Sequence, residues 1–257
     1  MTTEPGLLSI VDADDPATWP QPLTDLVHQL ADEAHRRGHA LENYPDLNIS
    51  SHEDTVLGYL GGHLVRARHS ARLLDHEKDS IRAQGLRLLN AGLVNERLDQ
   101  AHELGYLTAT EYEVLRTVNE TVPRQRRRAA MREDQVCLTL SAAPMIHEVR
   151  GIHRLLSYWG GEAIYWKHCE GAPEVAAKLR SLGTPAIVTA LLDFTAPGVG
   201  THQVFPSLIH VFVGKALGHE PADADVLYRA PIPPQRIESI VSPGDSAYDR
   251  FPGLPGS

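Results

Sequence analysis

The hydrophobic period of this chain changes along its length, and that change limits the folds open to it. In the first half apolar residues recur at helical spacing. Val27, Leu30 and Ala34 share one face of a helix expected from Leu23 to Arg37, with Gly38 as its stop. Ser50 and Glu53 form a Ser-x-x-Glu capping box for a helix through Leu60. Leu64 to Leu73 reads as a strand, followed by Asp75 as the N-cap of DHEKDSIRAQ and by Gly85 as its close. A helical hairpin over Leu93 to Val118 turns at Gly105, and Thr108 with Glu111 caps its second arm.

Beyond the hairpin, shorter runs alternate. QVCLTLS, EAIYWK and PAIVTALLDF read as strands, with PMIHEVRGIHRLLSYW and APEVAAKLRSL as helices between them. LIHVFVG, DVLYRA and IESIV read as three closing strands. Helices early and strands late predict an α+β fold rather than a regular βαβ winding. Residues 1–21, rich in Pro, Asp and Thr, read as an arm, so the division expected is an N-terminal arm and helix over 1–50 and one α+β domain over 51–257.

Composition excludes several classes. A net charge of -9 argues against a surface built throughout to hold a polyanion. Two cysteines, Cys137 and Cys169, give neither a disulfide framework nor a metal-ligand spacing. No signal-peptide pattern or long apolar run is present, so a cytoplasmic protein without a membrane span is expected. His35 and His39 have i, i+4 spacing, but HRRGH lacks the glutamate of a zinc-protease motif and Gly38 ends the helix, so no metal site is assigned. No nucleophile elbow, phosphate-binding P-loop or dinucleotide fingerprint is present.

Four segments carry a resemblance to a known family. Arg68-His69-Ser70-Ala71-Arg72 stands before a helix and a Gly-Leu turn. VCLTLSAAPM precedes a helix and YWGGEAIYW. GTPAIVTALLDF is a Gly-x-Pro-hydrophobic strand, and DVLYRAPIPPQRIESIV closes the set. In this order, over roughly residues 64 to 245, they resemble the ADP-ribosyltransferase-like fold of DarT-type toxins and abortive-infection proteins. The resemblance implies a split β-sheet core, with a helical N-terminal region and a helical insertion, holding NAD in the split. It implies NAD-dependent transfer of ADP-ribose, a glycosyltransferase activity of toxin or defence type, to a nucleic acid or protein.

The same resemblance implies roles for individual residues. His69 and Ser70 would contact the cofactor ribose, Arg72 a phosphate, and Ser141 the nicotinamide ribose region. A late carboxylate would stabilise the positively charged transition state, and that position falls on Asp225, where the family pattern has glutamate. Glu162, behind two glycines, is the other candidate, with Tyr158 or Tyr165 to stack on the nicotinamide ring. Arg124, Arg126, Arg127 and Arg128 would meet the phosphates of NAD or of a nucleic-acid acceptor.

Ordinary explanations stand beside each assignment. His69 could be a hydrogen-bonded structural histidine, Arg72 could pair with Asp75 or Glu77, Asp225 could sit in a solvated loop, the tyrosines could be core, and the arginine run could be a solvated face. Two other functions remain open: a non-catalytic nucleotide-sensing or protein-interaction module of the same fold, and a metal-dependent hydrolase.

Overall fold

The computed structural model describes residues 8–37, 49–121, 134–147, 150–165, 173–196, 203–205, 208–218 and 224–256. The first strand, β1 (Ser9–Val11), leads into α1 (Gln21–Arg36), which starts at a proline and buries Leu23, Val27, Leu30 and Ala34 along one stripe. α2 (Glu53–Leu60) is followed by β2 (His63–Leu73) and α3 (Asp75–Gln84). The hairpin comprises α4 (Ala91–Glu103) and α5 (Ala109–Thr121), the latter closed by Thr108 and Glu111 in the reciprocal hydrogen bonds of a capping box. Next come β3 (Val136–Thr139), the short α6 (Ala143–Ile146) and α7 (Arg150–Ser157), then α8 (Pro173–Ser181) and β4 (Thr184–Leu192). β5 (Gln203–Phe205), α9 (Leu208–Ala216), β6 (Asp225–Tyr228), β7 (Ile237–Val241) and α10 (Ser246–Asp249) complete the order.

Six strands lie in the order β5-β6-β3-β2-β4-β7 with every neighbouring pair antiparallel, and β1 joins β2 in parallel. The fold is therefore mixed, with helices packed on an antiparallel sheet, as an α+β reading requires. β2 pairs with β4 along Val65 to Leu73, whereas its register with β3 is the single pair Arg68 and Thr139. Val65 pairs with both Leu192 and Val11, so β1 occupies the β3-facing edge of β2 at its start. Past Arg68, no described strand pairs with that edge.

Side chains alternate between the sheet faces. One face presents Val65, Ala67, Leu73, Leu138, Val188, Ala190 and Val226 to a core completed by α1, α2 and α9. The other carries Ile187 against Leu156, Tyr248 and Phe251. A third cluster, under the hairpin, gathers Leu98, Leu107, Leu115, Trp159, Tyr165 and Leu179. Residues 8–37 contribute Val11, Trp19, Leu23 and Val27 to the first of these cores, and Asp12 and Asp14 pair with the buried Arg68.

Two expected strands are helical. LIHVFVG forms α9, with every residue from Leu208 to Gly214 buried. A short, wholly apolar run fits a buried helix as well as a buried strand, and here the carboxylate of Glu53 decides by accepting from Leu208 N at 3.0 Å and Ile209 N at 3.4 Å. Glu53 thus caps α9, and α2 starts from His52 with no side-chain cap; the Ser50 side chain lies outside the described residues. The segment EAIYWK is helical over residues 162–165, because the backbone N–H groups of Ile164 and Tyr165 both turn back to Gly161 O.

Candidate functional site

Where β2 and β3 separate, the structure has a cleft of about 210 Å³. Its floor is His69, Ser70 and Ala71 of β2 with Gln135 to Cys137 at the start of β3; its walls are α3, α4 and the Gly160–Ala163 turn. Of the residues expected at a site, His69, Ser70 and Glu162 meet here from distant parts of the chain.

The imidazole of His69 takes the place of a ladder hydrogen bond: Nδ1 lies 2.8 Å from Cys137 O. A carbonyl only accepts, so Nδ1 carries the proton and Nε2 keeps its lone pair. Burial holds this imidazole below the ordinary 6.5; the Cys137 carbonyl pulls it up, and the charge of Arg97 pushes it further down. It is therefore a neutral acceptor near pH 7. Ser70, the next residue, stands opposite Ile187 and so has its side chain on the face of Arg68 and Arg72; it is buried, and its Oγ has no hydrogen-bond partner. A buried hydroxyl without a partner costs free energy.

Glu162 is carried on a turn that requires its two glycines. Gly160 and Gly161 have φ of +92° and +66°, and a Cβ on Gly160 would stand 2.5 Å from Ile164 Cδ1. The preceding Trp159 fixes the turn, since its backbone N–H donates to Leu179 O at 3.0 Å and its Nε1–H to Glu77 at 2.9 Å. Glu77 also accepts from Leu74 N and, at 2.6 Å, from Arg97 Nε. Although burial alone would raise it, Arg97 and these donors hold the Glu77 carboxyl below its ordinary value, so it stays ionised.

The other candidates lie elsewhere. Arg72 is three residues from His69, an odd offset that places it on the opposite face of β2, where its Nε donates to Leu182 O at 2.7 Å. Asp225 stands opposite Thr139, itself opposite Arg68, so its side chain belongs to the Arg68 face and not to the cleft. Ser141 donates to Asp14 Oδ1 at 2.8 Å, in the network that neutralises Arg68. Tyr158 and Tyr165 are core residues whose rings pack together at 5.7 Å, with Arg180 over Tyr158. Arg124, Arg126, Arg127 and Arg128 lie outside the described residues.

Several lining residues were not foreseen. Leu93, Glu96, Arg97 and Gln100 form one stripe of α4 at i, i+3, i+4 and i+7, and that stripe faces the cleft. The spacing is visible in the sequence; what the stripe faces is not. Among the described residues, no group of three or more His, Cys, Asp or Glu stands together to hold a metal ion, and no helix is long and apolar enough to cross a membrane. No family model matches the chain, and no curated protein or solved structure is significantly similar to it.

Proposed function

We propose that the protein breaks the N-glycosidic bond of NAD in this cleft and transfers ADP-ribose to an acceptor. The observation that carries the reading is the meeting of His69, Ser70 and Glu162 in one cleft, at the seam where the sheet divides. The bond between the ribose C1 and the nicotinamide nitrogen breaks, and its electron pair leaves with the nitrogen, neutralising the pyridinium ring. The C1 cation that develops is stabilised by the Glu162 carboxylate, a fixed negative charge in a partly dehydrated site. An acceptor oxygen or nitrogen supplies the new electron pair and gives up a proton to water. His69 Nε2 holds a sugar hydroxyl, accepting its hydrogen bond. Resemblance to toxin and abortive-infection proteins supports a macromolecular acceptor, nucleic acid or protein.

The test is incubation of the purified chain with NAD, reading nicotinamide release and mass gain on added protein, DNA and RNA. Release that Glu162→Gln abolishes supports transfer, and the mass gain names the acceptor. NAD binding without release overturns catalysis in favour of a nucleotide-sensing module; neither binding nor release overturns the reading entirely.

A further inference from the structure

We infer that Trp159 is a positioning residue for Glu162: its indole N–H, bonded to Glu77, sets where the Glu162 carboxylate stands in the cleft. This rests on the N-glycosidic reading and adds to it a group that acts on the reaction without touching the ligand.

The turn does not place Glu162 by itself. Glycine has the widest backbone freedom of any residue, and Gly160 and Gly161 stand in succession before Glu162, with φ of +92° and +66°. Glu162 is therefore held by the anchors on either side of the two glycines. On the C-terminal side Ile164 and Tyr165, each 1% exposed, turn their N–H groups back to Gly161 O at 3.1 and 3.0 Å. On the N-terminal side the anchor is Trp159.

Trp159 is fixed from three directions. Its backbone N–H donates to Leu179 O of α8 at 3.0 Å, its Nε1–H donates to Glu77 at 2.9 Å, and the Arg97 guanidinium lies 5.3 Å from the ring centre. The Glu77 carboxylate is not free to follow the indole, because Leu74 N donates to it at 2.8 Å and Arg97 Nε at 2.6 Å. Hydrogen bonds to an ionised carboxylate are short and strong, so the ring is tied to α3 and α4, the two helices that wall the cleft. Trp159 has no exposed surface, so its effect on a ligand passes through the turn.

Without the indole N–H, Glu77 loses a donor and the ring loses the bond that orients it, so the turn pivots at its glycines. A displacement of about 1 Å at a reacting centre costs on the order of 100-fold in rate, and a smaller pivot costs less. The charge at C1 that Glu162 meets develops in the transition state, so the loss falls on kcat and leaves KM in place.

The experiment measures kcat and KM for nicotinamide release from NAD in the intact protein, as wild type, Trp159→Phe, Glu162→Gln and the double variant. Expected for Trp159→Phe is a kcat about tenfold lower with KM within about twofold. On the Glu162→Gln background the same change should alter release by less than about twofold, because no carboxylate is left to misplace. A merely structural tryptophan would give its tenfold loss on both backgrounds. Such additivity, an unchanged kcat in Trp159→Phe, or a loss carried by KM would overturn the inference and leave the N-glycosidic reading intact. Absence of release from the wild type would overturn that reading, and the inference with it. Should Trp159→Phe fail to fold, benzothienylalanine in place of Trp159, which keeps the shape of the indole without its N–H, carries the same cycle.

Discussion

Trp159 donates its indole N–H to the Glu77 carboxylate at 2.9 Å, joining the start of α3 to the turn that carries Glu162. Arg97 reaches the same carboxylate from α4, so three separate segments are held by one buried side chain.

Glu77→Gln should therefore destabilise the protein by about 2–4 kcal/mol, since it leaves Arg97 facing a neutral amide and weakens the Trp159 bond. Urea unfolding checks the magnitude. Adding Arg97→Met should recover part of the loss, because the second change removes the uncompensated cation. A double variant no more stable than the single one would contradict the pairing.

The acidic side of Glu77 stability has a definite direction. Its folded carboxyl lies below its ordinary 4.5, so its contribution is complete above that value and is lost as pH falls through the folded value. Acid titration of wild type against Glu77→Gln should show wild type losing more stability below about pH 4.5.

His69 behaves in the opposite chemical sense. Its folded imidazole is below 6.5, so the unfolded chain takes up a proton first as pH drops. Stability is complete above 6.5 and declines from there toward the folded value, by at most about 1.4 kcal/mol per pH unit for this one site. His69→Asn should flatten that slope in denaturant titrations between about pH 7.5 and 5.5, leaving the share due to buried His210, which is lowered by the same cause.

For activity, Glu162→Gln should reduce nicotinamide release about 100-fold by removing the charge beside the ribose carbon. Asp225→Asn should leave release within about twofold, because Asp225 shares the Arg68 face of the sheet. Equal losses in the two variants would contradict the placement of the cleft.

Gly85→Ala should cost about 3 kcal/mol or more. The residue has φ of +82°, and an added Cβ would overlap the Ile232 carbonyl oxygen, where Leu86 and Ile232 exchange backbone hydrogen bonds. A melting curve on the Gly85→Ala protein checks it.

Much of this framework was legible in the sequence. β2, α3, the Thr108–Glu111 cap, β4, β6 and β7 fall where period and punctuation put them, except that the N-cap of α3 is Leu74 and Asp75 is its first helical residue. The failures have two physical sources. α9 is apolar on every side, so periodicity could not separate helix from strand, and its cap, Glu53, comes from more than 150 residues away. Gly160 and Gly161 bend the chain so that Glu162 opens a helical turn. For the site, strand parity alone separates His69 from Ser70 and Arg72, a deduction the sequence permits once β2 is recognised. The Glu77–Trp159 and Glu77–Arg97 contacts come from tertiary packing that no local pattern encodes.

Along its β3-facing edge, β2 meets β1, then a single residue of β3, and beyond Arg68 no described strand. Among the described residues the aperture lies between two diverging backbones. Its breadth is inherited from sheet twist and from how early the neighbouring strand departs, while its taste depends on a few side chains along the rim. Single substitutions should retune what enters far more readily than they enlarge the opening, which makes this seam tolerant of changes in selectivity and resistant to changes in size.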